Sequence, residues 1–141
     1  TMGLNKARKV YYQEQLKILG MGLEDRLNVK AGALSGGQRQ ALALVMATLV
    51  KPDLLLLDEH TAALDPKSSD IVMDLTDRVI REKGITALMI THNLKYALDY
   101  TSRFIMLHEG NIVLEKSGQE KAQMTADEIL ETFHRLQIIG E

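Results

Sequence analysis

Two short clusters in this sequence carry groups suited to polyphosphate chemistry. Ser35-Gly36-Gly37-Gln38 leads straight into a helix-forming run, Arg39 to Leu49, and the four leucines Leu54 to Leu57 end on the acid pair Asp58-Glu59. A Gly-rich turn at a helix N-terminus seeks phosphate, because free backbone N–H groups and the positive end of the helix dipole point outward together. Four leucines followed by two acids read as a fully buried parallel strand that delivers carboxylates to its C-terminal edge. Neighbouring strand residues point to opposite faces, so both acids reach one site only where the strand is ending. Magnesium takes hard oxygen ligands, and phosphoryl transfer needs charge neutralisation and a positioned nucleophile more than covalent help. Joined by one helix, the two clusters suit a nucleoside triphosphate and its magnesium. By composition alone each stays ambiguous, since Ser-Gly-Gly serves any turn and Asp-Glu any strand end.

The elements that must hold these groups follow from periodicity. Leu4 to Leu19 has apolar residues at 7, 10, 11, 12, 16, 18 and 19, a noisy helical stripe broken by Gly20-Met21-Gly22. Leu23 to Ala33 reads as a short polar connector. The helix from Gly36 to Val50 is apolar on most sides, which implies burial all round, with Met46 as core filler and Pro52 as the break before the strand. Asp65 is expected to cap a helix with Pro66 at its first position. Ile71, Val72, Leu75, Val79 and Ile80 form that helix's buried face, and Asp74/Arg78, Asp77/Arg81 and Arg78/Glu82 have ion-pair spacing. Lys83-Gly84 ends it. Ile85 to Thr91 is a second buried strand, with His92 at its end, and a short helix covers Leu94 to Asp99. Arg103 to His108 and Asn111 to Glu115 form a hairpin about Glu109-Gly110. Thr125 to Leu136 closes as a helix, with Thr125 and Glu128 spaced as a capping box. The alternation of strand and helix predicts a parallel, helix-covered α/β sheet to which the hairpin adds an antiparallel edge.

Seventeen basic and nineteen acidic residues give a net charge of −2, so no general attraction to nucleic acid or anionic lipid is implied. The absence of cysteine removes disulfides and thiolate metal sites. No apolar run approaches a membrane span. Thr1-Met2-Gly3 begins no signal pattern, and membrane association is expected to run through a partner.

Leu34-Ser35-Gly36-Gly37-Gln38 resembles the signature motif of ATP-binding-cassette (ABC) ATPases. Leu54 to Glu59 is similar to their Walker B strand and catalytic glutamate, Ala62-Ala63-Leu64-Asp65 to their D-loop, and His92 stands at the position of their switch histidine. The four motifs occur in family order and at family spacing. The resemblance implies that Asp58 holds magnesium through water and that Glu59 acts as base toward the attacking water. It further implies that His92 senses the γ-phosphate, and that Leu34, Ser35, Gly36, Gly37, Gln38 and Asp65 contact ATP across a dimer, the signature residues meeting a nucleotide held by a second copy. His60 departs from the family, which usually has proline there. His108 and His134 have no such support and read as surface residues.

The Walker A pattern G-x-x-x-x-G-K-[ST] and the glutamine loop do not occur in these 141 residues. By resemblance the chain is the C-terminal part of a P-loop NTPase-like nucleotide-binding domain. Residues 1–50 would be a remnant of the helical subdomain with the signature helix, and residues 51–141 the C-terminal part of the ATPase core. The parent is then expected to be the ATPase subunit of a membrane transporter, with import as the expected direction. It would sit in the cytoplasm on the inner face of the membrane, bound to permease subunits and supplied by a substrate-binding protein. The chain alone is expected to bind ATP poorly. The competing expectations are a non-transport ATPase of the same superfamily and a non-enzymatic partner that lends a signature motif in trans.

Overall fold

Helices and strands alternate along the chain, in a computed structural model that describes residues 5–139. The chain is an α/β protein that divides into two compact units, Thr1–Ile90 and Thr91–Glu141.

In the first unit, α1 spans Lys6–Lys17 and is capped by Asn5, whose Oδ1 accepts from the Arg8 amide at 2.8 Å. Leu4, included in the expected helix, lies outside the described residues. Two left-handed glycines, Gly20 and Gly22, end the run, a conformation that costs glycine no Cβ clash. The connector that follows holds two short 3₁₀ turns, Leu23–Asp25 and Ala31–Ala33. It is less polar in role than in composition: Leu23 is buried with Leu16, Leu19, Leu34, Ala41 and Leu75 in one cluster.

Helix α2 (Gly36–Thr48) stops two residues short of the expected Val50, and its all-round burial is not borne out. Gly37, Ala41, Leu44 and Thr48 are buried, whereas Met46 is 65% exposed and so is not core filler. A helix buries only the stripe its neighbours reach, and here α1, α3 and the strand below approach one side. The Lys83 ammonium donates to the Thr48 carbonyl at 2.6 Å, satisfying a carbonyl that the helix end leaves open.

Strand β1 (Leu55–Asp58) runs parallel to β2 (Ala87–Ile90) in a two-stranded sheet, with α3 (Pro66–Lys83) between them in sequence. The four leucines do not form a fully buried strand. Leu55 and Leu57 are buried, while Leu54 lies outside the strand and Leu56 is 65% exposed. Side chains alternate across a strand, and only one face is covered, by Leu44, Val79 and Ile85. For the same reason β2 is not a buried strand either: Leu88 and Ile90 are exposed and Met89 only partly covered.

Helix α3 is the best-specified element. Asp65 caps it, Pro66 opens it, and Gly84, at φ 61, closes it. Val72, Leu75 and Val79 are buried as expected, joined by Met73 and Thr76; Ile71 is exposed and Ile80 intermediate. Of the spaced ion pairs, Asp77–Arg81 forms at 2.8 Å; Arg78 donates to the Ile18 carbonyl at 2.8 Å and ties α3 to the end of α1.

In the second unit, α4 spans Leu94–Asp99, β3 Arg103–His108 and β4 Asn111–Ser117; α5 (Gly118–Ala122), not anticipated, precedes α6 (Ala126–Ile139). The hairpin strands pair with each other in a sheet of their own, so the hairpin does not extend the parallel pair among the described residues. Glu109 and Gly110 both take positive φ, as a primed hairpin turn requires. The Thr125–Glu128 capping box forms in both directions, at 3.2 and 3.1 Å.

Candidate functional site

The Ser-Gly-Gly-Gln turn is rigid for local reasons. The Ser35 hydroxyl accepts from the Gln38 amide at 3.2 Å, and the Gln38 side-chain oxygen accepts from the Ser35 amide at 3.0 Å, a reciprocal capping box. Gln38 spends its other end on the Met21 carbonyl, 3.3 Å away. Ser35 itself is exposed, and its hydroxyl hydrogen is not used in the cap. Leu34 is buried in the first core cluster, so its side chain anchors the turn.

Of the two glycines Gly36 is the tight one, a Cβ there meeting the flexible end of Leu64, whereas a Cβ on Gly37 would make an ordinary van der Waals contact. A Cβ on Gly36 would stand 2.9 Å from Leu64 Cδ2, and one on Gly37 3.5 Å from Ser68 Cβ. The Ser-Gly-Gly turn is therefore packed against the loop that carries Leu64 and Asp65. That loop is held by Ser69, buried, whose hydroxyl donates to the Thr61 carbonyl at 3.1 Å. Asp65 is exposed and accepts from the Ser68 amide at 3.1 Å; hydrogen bonds from the Ser68 hydroxyl and amide hold its carboxyl below the usual carboxylate range. Ser69 escaped sequence reasoning because its partner is eight residues away and no motif marks it.

Asp58 is the last residue of β1 and shares the open face with Leu56. At Glu59 the backbone turns left-handed, φ 48, while its amide still donates to the Ile90 carbonyl at 2.9 Å. For a residue other than glycine this conformation costs roughly 1–3 kcal/mol and persists only where the surroundings over-determine it. It ends the strand's alternation directly after Asp58. The Glu59 carbonyl then accepts from the Ala62 amide at 3.0 Å, opening the turn toward Leu64.

His60 is half-buried beneath this turn. Its Nε2 lies 3.1 Å from Thr76 Oγ1, and that hydroxyl donates its hydrogen to the Val72 carbonyl at 2.7 Å. With the only hydroxyl hydrogen spent on a carbonyl, Nε2 must be the donor to Thr76. Burial pushes the imidazole's pKa down, favouring the neutral ring. Asp58 and His60 also border a shallow groove of about 190 Å³ between α2 and β1, lined further by Gln40, Ala43 and Leu56.

His92 lies in the second unit, exposed, in the short stretch between β2 and α4. The segment is ordered by Asn93, whose amide donates to Thr91 Oγ1 at 3.0 Å and whose Oδ1 caps α4 by accepting from the Tyr96 amide at 3.1 Å. His134 is exposed and His108 half-exposed. Among the described residues no group of three or more His, Cys, Asp or Glu side chains could hold a metal by itself.

The first unit thus joins a glycine turn, a following acidic loop and a carboxylate pair at a parallel strand's end. The family described as "ABC transporter" matches residues 5–62. The tyrosine transport ATP-binding protein of Clostridioides difficile is 55% identical over 84% of this chain and 47% of its own length. The phosphonates import ATP-binding protein of Alcaligenes faecalis is 44% identical over 67% of this chain and 34% of its own length. Among solved structures, the ADP conformation of an ATP-binding cassette of an ABC transporter matches with a TM-score of 0.70 and 28% identity, over 94% of this chain and 50% of that one. A dimeric post-hydrolysis cassette bound to ADP and phosphate matches with a TM-score of 0.64 and 33% identity, over 80% of this chain and 48% of that one. The chain belongs to the ABC transporter ATP-binding family. It spans less than half the length of the curated relatives named here.

Proposed function

We propose that this chain is the C-terminal part of the ATP-hydrolysing subunit of an ABC importer. Residues 1–50 then belong to the helical subdomain with the signature helix, and residues 51–141 to the ATPase core. The observation that carries this reading is the left-handed turn at Glu59 immediately after Asp58, which lets two adjacent carboxylates leave a strand end together. In this reading Asp58 holds the magnesium of MgATP and Glu59 is the base for the attacking water. A single exposed carboxylate suits magnesium, which keeps several waters and takes few protein ligands; the ion's contribution is to neutralise phosphate charge. His92 donates to the γ-phosphate. Leu34, Ser35, Gly36, Gly37, Gln38 and Asp65 face a nucleotide on a second copy, Ser35 through the hydroxyl hydrogen its cap leaves over and the glycines through close backbone approach. The site is composite, so the working unit is a dimer that ATP closes and hydrolysis opens.

The dimeric cassette bound to ADP and phosphate supports the dimer, and the names of the transport relatives support coupling to a permease in the membrane. The name of the phosphonates import relative supports import as the direction; in this reading a substrate-binding protein delivers cargo and the subunit is held at the cytoplasmic face. Because the chain lacks a Walker A sequence, ATP affinity resides in the longer protein.

The test is Glu59→Gln in the full-length subunit. The amide keeps the shape and loses the basicity, so turnover should fall by about 10²-fold or more while ATP binding is retained and the ATP-bound dimer accumulates. Hydrolysis near the wild-type rate would overturn the assignment.

A further inference from the structure

We propose that His60 is a positioning residue for Glu59, acting through its hydrogen bond to Thr76. The inference rests on the reading of Glu59 as the base, and it assigns His60 no contact with substrate.

Three features of the structure carry it. First, Glu59 sits in a backbone conformation that a side-chain-bearing residue avoids, φ 48, so something must hold it there. Second, the turn is tethered on both sides of Glu59. Before the turn, the Glu59 amide donates to the Ile90 carbonyl at 2.9 Å. After it, the His60 ring reaches down to Thr76, sixteen residues away on α3, at 3.1 Å. Third, the Thr76 end is fixed. Thr76 is 1% exposed and its hydroxyl hydrogen is committed to the Val72 carbonyl at 2.7 Å. The acceptor lone pairs it offers His60 are therefore held in directions set by the helix.

The consequence is geometric. Helix α3 is anchored to the end of α1 by Arg78 and to the end of α2 by Lys83, and it grips the residue next to Glu59. Without that grip the hold of α3 on the residue next to Glu59 is lost, and φ at Glu59 is freer to relax toward the ordinary region. Relaxation would re-aim the carboxylate. A misplacement of about 1 Å in a catalytic group can cost on the order of 10²-fold in rate without altering how substrate is bound.

The experiment uses the full-length subunit, three single variants and one double variant, with Glu59→Gln as a reference. His60→Leu removes the donor and should lower kcat about 10-fold or more with KM for ATP changed less than about twofold, the pattern of an interaction used only in the transition state. His60→Gln can present an N–H near the position of Nε2 and should recover most of the lost kcat. Thr76→Val, near-isosteric and leaving His60 in place, should reproduce the His60→Leu defect. The double variant His60→Leu/Thr76→Val should be no slower than either single one, because both break the same bond. If His60→Leu is unstable, Thr76→Val carries the same test. Wild-type kcat in Thr76→Val, or an equal loss in His60→Gln and His60→Leu, would overturn the proposal. Glu59→Gln run alongside separates the two readings. If that variant turns over normally, the base assignment fails; if it is inactive while Thr76→Val is normal, only the positioning role fails.

Discussion

The two sheets formed by the described residues each have two strands and are otherwise opposites. The hairpin β3–β4 is local: its strands are joined by Glu109-Gly110, staggered by one extra residue, Val113, and braced by an Arg103–Glu115 ion pair at 2.5 Å. The parallel pair β1–β2 is joined through the eighteen-residue helix α3 and has no further strand on either edge among the described residues. Parallel sheets are ordinarily covered on both faces, yet Leu56, Leu88 and Ile90 here are 65%, 56% and 55% exposed. A hairpin can be written in a dozen consecutive residues, whereas a parallel pair is coherent only as the middle of something larger. The carboxylates stand on the second kind of sheet, which places the candidate chemistry on the part of the chain least complete in itself.

The largest effect expected from this contrast concerns the 141-residue chain by itself. Strand edges with unpaired N–H and C=O groups recruit other chains, and each leucine side chain left wet forgoes roughly 1.5–3 kcal/mol. Purified alone, the chain should self-associate and should show no MgATP binding at micromolar concentration. Leu56→Lys, on the bare face of β1, should shift sedimentation toward the monomer, while Leu107→Lys, on the exposed face of the hairpin, should do so far less. A monomeric wild-type chain that binds MgATP would break the comparison at its root.

What could be read from sequence divides along the same line. Capping and turn chemistry was legible residue by residue: Asp65-Pro66 at the start of α3, Gly84 at its end, Thr125 with Glu128, and Glu109-Gly110 in the hairpin all take the expected roles. The motif order pointed to the right family because Ser35 to Gln38 and Asp58-Glu59 are contiguous. Burial was misjudged where it depends on neighbours. Leu54 to Leu57 and Ile85 to Thr91 have the composition of covered strands, and Met46 that of a core residue, but composition does not state which faces are met. Long-range tethers were invisible as well. Nothing in the sequence links His60 with Thr76, Ser69 with Thr61, or Gln38 with Met21, because single hydrogen bonds between distant residues leave no periodic trace.

A smaller effect should sharpen the contrast from the hairpin's side. Gly110 lies at φ 78 with no atom within 4 Å of where a Cβ would sit, so Gly110→Ala meets a conformational penalty and no clash. The cost should be about 1 kcal/mol. If the hairpin is self-contained, the loss stays local: amide hydrogen exchange should quicken in β3 and β4 and remain unchanged in β1 and β2. Equal loosening of β1 and β2 would show that the two sheets are not independent.

The smallest effect separates the units by the charge of their helix caps. Asp65, at the head of α3, is capped through an ionised carboxylate; Asn93, at the head of α4, does the same work with a neutral amide. The Ser68 hydrogen bonds lower the pKa of Asp65 from its ordinary value of 3.8. A carboxyl whose folded pKa is depressed contributes stability that is fully present above the unfolded value and is lost as pH falls through the folded one. Asp65→Ala should therefore destabilise the full-length protein at neutral pH and cost much less at an acid pH below the depressed folded pKa, where the wild-type carboxyl is itself protonated. Asp65→Asn should keep the cap at both pH values and remove the dependence. Asn93→Ala should cost the same at both, since its amide does not titrate in this range. Urea titrations at the two pH values would measure all three differences. A loss for Asp65→Ala that is independent of pH would mean that the cap works through geometry alone, with no contribution from its charge near the positive end of α3.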